Sequence, residues 1–331
     1  IQAVIVNSGN ANCMTGKKGI RAAEAMAAAA AEALGLKPSQ VLVASTGIIG
    51  RQLPVDKVVA AAPRLADDLC ERGLSRLAEA IRTTDTFSKQ VSVSVFLGGR
   101  RATVSGIAKG AGMIAPRMRM ATMLSFIVTD AAVAAGALKK ALADAVAGSF
   151  NAITVDGCMS TNDTVVVLAN GQAGNRTVTQ GSRDYARFLK ALREVAAALA
   201  RMIVQDAEGA TKFITIDVKR AASDVEAEAF AFSVANSALF KTAMFGSNPN
   251  WGRIAAALGA AGGRLDWETM TITLNGATVF RKGRPVPLKR RGLLKGRDIR
   301  VEIDLAQGEG AKRVWTSDLS YGYVRINAEY N

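Results

Sequence analysis

The sequence predicts a layered α/β fold. Strand-like and helix-like segments alternate through both halves of the chain instead of being segregated. Hydrophobic residues are 49% and charged residues 21% of 331, enough for a sizeable core in one large or two smaller domains. No internal repeat or low-complexity linker interrupts the pattern.

The elements follow in order. AVIVN (3–7) predicts a strand that runs into the loop NSGNAN (7–12). Residues 20–35 are Ala-rich and predict a helix, VLVAS (41–45) a second strand, and residues 54–72 a helix with Pro54 near its start. VSVSVFLGG (91–99) and RATVSGIAKG (101–110) alternate with period two, and Gly98-Gly99 between them signals a hairpin. MLSFIVTD (123–130) predicts a buried strand, and residues 131–147 a helix. AITV (152–155) and TVVVLAN (164–170) predict strands, residues 184–203 a long helix, KFITIDVKRA (212–221) a strand and residues 251–262 an Ala/Gly-rich helix. The C-terminal third returns to strands. The opening IQAVIVNSGNAN lacks the basic and apolar regions of a signal peptide and reads as a strand that starts abruptly, in mid-fold.

Composition excludes several function classes. The chain has no histidine, which rules out Ser-His-Asp and Cys-His machinery and His-based metal sites. Three scattered cysteines, Cys13, Cys70 and Cys158, form no CxxC; they read as small buried or half-buried fillers in a protein of a reducing cytoplasm, with no metal site expected. No run of about 20 uncharged apolar residues exists, so no membrane span is expected. Net charge is +14. The densest basic run, RKGRPVPLKRRGLLKGRDIR (281–300), has no Tyr or Trp for base stacking and reads as a solvated connection between strands, not as a nucleic-acid surface. Nucleotide loops also fail: GxxxxGK would need Gly where Ala11 stands and Ser or Thr where Lys18 stands.

Polar, Gly-rich clusters recur at predicted strand ends: NSGNAN, STGIIG (45–50), TTDTFSK (83–89), STNDT (160–164), DAEGATK (206–212) and GSNPNWGR (246–253). Each alone is an ordinary turn; together they are where a site would be built. KGAGMIAPRMRMATMLSF (109–126) adds a lone hydroxyl, Thr122. A Thr hydroxyl is a poor nucleophile without a base, and no histidine is present. A Thr freed at a new N-terminus carries its own base, an α-amino group with a pKa of about 7.7–8.0. That requires cleavage of the Ala121–Thr122 bond. Taken alone, Thr122 is equally an ordinary β-branched residue at a strand start.

Eight motifs in order decide the matter. NSGNAN, STGIIG, TTDTFSK, IAKGAGMIAP followed by MATML, NAITVDGCMSTNDT, DAEGATKFI, ANSALFKTAMFGSNPNWGRI and DLSYGYVRINAEY resemble the bifunctional ornithine acetyltransferase (glutamate N-acetyltransferase) family of arginine biosynthesis over essentially the whole chain. The resemblance implies an α/β sandwich layered like the N-terminal-nucleophile hydrolases. It implies self-cleavage at Ala121–Thr122 into an α fragment (1–121) and a β fragment (122–331), associated two and two. Thr122 would take acetyl from N-acetylornithine and pass it to glutamate. No cofactor is implied, although some members also use acetyl-CoA as donor. Oxyanion residues map onto Thr46 and Gly47, and substrate-binding residues onto Thr83 (with Thr84 and Thr86 beside it), Lys109, Thr122, Glu208 and Asn327.

The chain departs from the family pattern in four places. Two additional residues stand between Pro116 and Ala121, Gly322 replaces a usual Asp, and the chain is shorter at both ends. A degenerate or truncated homologue, and an amidase or aminopeptidase of the same self-cleaving kind, are the alternative readings.

Overall fold

The computed structural model describes residues 1–115, 123–288 and 291–329. Its elements are β1 (Ala3–Asn10), α1 (Gly16–Leu34), β2 (Val41–Ile48), α2 (Val55–Asp67), α3 (Leu74–Ala80), β3 (Lys89–Leu97), β4 (Arg100–Lys109), β5 (Leu124–Thr129), α4 (Ala135–Ala147), β6 (Ile153–Thr154), β7 (Thr164–Ala169), α5 (Arg183–Gln205), β8 (Phe213–Ala221), α6 (Asp224–Asn236), α7 (Ala238–Phe245), α8 (Trp251–Ala260), β9 (Thr271–Leu274), β10 (Ala277–Arg281), β11 (Arg284–Pro285), β12 (Asp298–Asp304), β13 (Gly310–Ser317) and α9 (Tyr321–Ala328). They form two compact units. One holds Ile1–Gly110, Pro116–Val146 and Met159–Leu199; the other holds Ala111–Ala115, Ala147–Cys158 and Ala200–Asn331. The fragment boundary expected at Ala121–Thr122 lies outside the described residues.

The first unit is a four-layer sandwich, and side-chain alternation builds it. β1 and β2 pair in parallel. Ile5 and Val41 face α1 and α2, packing against Met26, Ala30 and Ala31. Val4, Val6 and Ala44 point the opposite way, onto α3 and a sheet of order β3-β4-β5-β7, where they meet Ile107, Leu124, Phe126 and Val166. The far face of that sheet receives α5: a Cβ on Gly106 would come within 2.9 Å of Val195 and Leu199. The β3–β4 hairpin turns through Gly98 (φ 56°) and Gly99 (φ 80°), as its dipeptide predicts.

The second unit is a sheet of order β11-β10-β9-β12-β8-β13-β6. One face of the sheet is apolar: Ile214, Ile216 and Val218 pack with Val301, Ile303 and Val314 under α6, α7 and α8. The alternate residues carry charge, with Asp217 taking Arg313 at 2.6 Å and Arg300 at 3.1 Å.

Several expectations need correction. The helices α3, α6, α7 and α9 are absent from the sequence reading. α6 buries Ala227, Phe230, Ala231, Val234 and Ala235, so its pattern carries little amphipathic contrast, while α9 buries no residue at all. The helix predicted over 54–72 stops at Asp67. The strand predicted over 152–155 keeps two residues, because Phe150–Ala152 coils into a 3₁₀ turn. The basic run is not wholly solvated: it contributes β11 and buries Leu294, and the buried Lys212 ammonium donates to the carbonyls of Leu294, Lys295 and Gly296 at 2.9–3.1 Å. Cys70 and Cys158 are exposed, and only Cys13 is half-buried.

Candidate functional site

In the first unit the predicted residues meet at adjoining strand ends. Thr46 and Gly47 lie near the end of β2, and Lys109 is the last residue of β4, in register with Leu124 at the start of β5. Lys109 Nζ donates to Thr46 Oγ1 (3.1 Å) and to Thr83 Oγ1 (2.7 Å). This contact brings Thr83 into the cluster. Because the Thr46 oxygen accepts from the ammonium, its own O–H proton is left to donate elsewhere. Gly47 (φ 129°) must be glycine: an added Cβ would lie 2.2 Å from the Gly9 carbonyl carbon, where β1 and β2 close together. A hydroxyl and a backbone N–H at such a strand end are the elements of an oxyanion hole.

Asp85 organises this cluster, and the sequence reading missed it. Its Oδ1 accepts from Lys89 Nζ (2.6 Å) and the Gly110 N–H (2.7 Å), and its Oδ2 from the Thr83 N–H (3.2 Å). One carboxylate therefore fixes both the loop bearing Thr83 and the end of the strand bearing Lys109. Burial works to raise the Asp85 pKa, but the charges of Lys89 and Lys109 and the bonds from Lys89 and Gly110 bring it below the ordinary value. The only sequence signal was an Asp four residues before a Lys in TTDTFSK.

Ala121 and Thr122, with the two additional residues before them, lie outside the described residues. The chain emerges from that segment at Met123. Its backbone N–H donates to Asp163, and its carbonyl accepts from the Thr164 N–H at 2.8 Å.

In the second unit Glu208 and Asn327 are in contact: Asn327 Nδ2 donates to Glu208 Oε2 at 2.9 Å. Two predicted motifs interlock to make this pair. The turn after Glu208 needs Gly209 (φ 64°), whose added Cβ would lie 2.3 Å from the Tyr323 nitrogen. Ser320 Oγ donates to the Gly209 carbonyl (2.5 Å) and caps α9 by accepting the Tyr323 N–H (3.2 Å). Asp318 accepts the N–H groups of Thr211 and Lys212 at 2.8 and 2.9 Å. The Glu208 carboxylate also rests against Gly112, where a Cβ would come within 2.3 Å of Oε2. Met113 follows at φ 56°, held there by Asp156, which accepts the N–H groups of Met113 (2.7 Å) and Ile114 (3.1 Å) and the Tyr323 hydroxyl (3.3 Å). Burial and the Asp156 charge drive the Tyr323 phenol well above its ordinary pKa, so it stays a neutral donor. Among the described residues no cluster of His, Cys, Asp and Glu could hold a metal, and no helix is long and apolar enough to cross a membrane.

Comparison with known proteins gives a consistent result. The ArgJ family matches residues 1–331. The chain is 46% identical over 333 residues to the arginine biosynthesis bifunctional protein ArgJ of Geobacter sulfurreducens, covering 99% of this chain and 84% of that one. It is 47% identical over 333 residues to the protein of the same name from Symbiobacterium thermophilum, covering 100% and 82%. The crystal structure of the arginine biosynthesis bifunctional protein argJ from Bacillus halodurans superimposes with a TM-score of 0.60 at 40% identity, covering 62% of this chain and 98% of that one.

Proposed function

We propose a mechanism for this chain, which belongs to the ArgJ family: it cleaves itself at Ala121–Thr122, and Thr122 then carries acetyl from N-acetylornithine to glutamate. The family makes it a bifunctional acyltransferase of arginine biosynthesis. The observation that carries the assignment of roles is the Lys109 ammonium held between the hydroxyls of Thr46 and Thr83, at the strand end in register with Leu124.

In self-cleavage the Thr122 hydroxyl oxygen adds to the Ala121 carbonyl carbon, the C–N bond breaks, and the nitrogen takes up a proton to become an amine. Water then hydrolyses the resulting ester, leaving a carboxylate on Ala121 and a hydroxyl on Thr122. In the transfer the new amine takes the hydroxyl proton as the oxygen attacks the acetyl carbonyl of N-acetylornithine. Thr46 O–H and the Gly47 N–H stabilise the oxyanion, as donors of this kind do elsewhere by about 3–4 kcal/mol. Ornithine leaves with the proton. The glutamate amine then attacks the acetyl ester, and Thr122 is regenerated. Acetyl-CoA as a second acetyl donor would use the same ester.

Lys109 supplies positive charge for a substrate carboxylate, and Glu208, oriented by Asn327, supplies negative charge for a substrate ammonium. The reading includes a cytoplasmic enzyme of two α and two β fragments.

Intact mass with N-terminal sequencing tests the reading. Two species, the larger beginning at Thr122, are expected, with one acetyl group added to that fragment on incubation with N-acetylornithine. A single uncleaved species that nonetheless transfers acetyl would overturn it. Kinetics with both substrates should give parallel double-reciprocal lines.

A further inference from the structure

The motif STNDT (160–164) is absorbed by none of the roles above, yet three of its consecutive residues tie two pieces of the first unit together. Asn162 Nδ2 donates to the carbonyls of Ala11 (2.7 Å) and Ser45 (2.9 Å), beside the end of β1 and directly before Thr46. Asp163 Oδ1 accepts the Met123 N–H. The Thr164 N–H donates to the Met123 carbonyl, and from there β5 and β7 run in parallel, Leu124 opposite Thr164. The amide that Asp163 grips is the peptide bond that leaves Thr122.

We infer that Asp163, backed by Asn162, is a positioning residue that holds the Met123 N–H, where β5 begins, in place beside the strand that bears the oxyanion donors Thr46 and Gly47. The inference rests on the reading of Thr122 as the nucleophile. Asn162 is tied to the strand of the donors and Asp163 to the strand of the nucleophile, so two adjacent residues span the distance that acyl transfer must hold constant.

The carboxyl works in its neutral form. Its Oδ2 is sealed from solvent and meets no hydrogen-bond partner among the described residues. An ionised carboxylate with one oxygen so placed would be costly. Burial pushes the Asp163 pKa up to about 9, and Lys109, the charged group that faces it, pulls the other way. A neutral carboxyl accepts the Met123 N–H without drawing Lys109 away from the hydroxyls of Thr46 and Thr83. An ionised one would compete for that ammonium. Activity should therefore be lost as pH rises through about 9.

Asp163→Asn copies the neutral acid, accepting through Oδ1 and donating through Nδ2, but does not titrate. Precursor disappearance and transfer kcat are followed from pH 6 to 10 for the parent, Asp163→Asn and Asp163→Ala, with Thr122→Ala as reference. Asp163→Asn is expected to match the parent at pH 7 and to keep its rate above pH 9, where the parent falls. Asp163→Ala is expected to slow both steps roughly a hundredfold, the cost of about 1 Å of misplacement. Parent-like rates in Asp163→Ala, a folded Asp163→Asn slowed at pH 7, or coincident profiles of parent and Asp163→Asn above pH 9 would each overturn the inference. If Asp163→Ala does not fold, the parent and Asp163→Asn profiles decide it. Cleavage in Thr122→Ala would instead remove the nucleophile reading on which it stands.

Discussion

The two clusters of predicted site residues are built in opposite ways. Beside Lys109, itself 3% exposed, Lys89 and Asp85 form an ion pair with neither side chain exposed. Around Glu208 the carboxylate is half-exposed and its partner Asn327 lies on the surface. A buried, hydrogen-bonded cluster costs stability to assemble but holds its dipoles fixed before substrate arrives, which is what stabilising a short-lived oxyanion requires. A half-exposed carboxylate on a capped turn serves recognition, where a ligand must reach it. On the proposed reading the contrast is a division of labour: the buried cluster serves the acyl step and the open carboxylate the substrate ammonium.

Four substitutions sharpen or break that contrast, the largest effect first. Thr122→Ala should leave a single uncleaved chain with no acetyl transfer, read by denaturing gel and assay; Thr122→Ser should still cleave. Asp85→Ala removes the carboxylate of a buried ion pair and should cost about 3–5 kcal/mol in denaturant unfolding. Its pH signature follows from the depressed pKa. The Asp85 contribution is full above the unfolded carboxylate value of about 3.9 and is lost as pH falls through the lower folded value. Acid unfolding of the parent should thus steepen in that range, and that of Asp85→Asn should not.

Glu208→Ala should raise KM for N-acetylornithine by about ten- to a hundredfold, the worth of a charged hydrogen bond, with stability and kcat at saturation little changed. A collapse of kcat at unchanged KM would erase the distinction between the clusters. Gly322→Asp, which restores the usual family residue at the first turn of α9, should move the melting temperature by only a degree or two. Asp suits a helix N-terminus, but its Cβ would stand 3.2 Å from Gly209 Cα and Ser320 Oγ.

What the sequence disclosed depends on the range over which each feature is encoded. The β3–β4 hairpin is written in period-two alternation and Gly98-Gly99, so it was legible from local residues. The same holds for the strand ends bearing Thr46 and Lys109. Among Thr83, Thr84 and Thr86 nothing local distinguishes the partner of Lys109; a contact across 26 residues does. Asp163 acts on a residue 40 positions away and Asn162 on one 151 away, so STNDT reads locally as a turn. α6 escaped because a helix packed under a sheet loses the polar stripe that marks helices at the surface.

The burial of Lys109 also determines how the enzyme meets salt. Screening acts through solvent, with a Debye length of about 10 Å at 0.1 M, and an ammonium only 3% exposed is screened far less than an open carboxylate. The field at Thr46 and Thr83 therefore keeps its strength as ionic strength rises, while the open side of Glu208 is screened. Salt should weaken the grip on a charged amino acid without slowing the acyl step once that substrate is bound, so saturating substrate restores the rate at any salt concentration that leaves the fold intact.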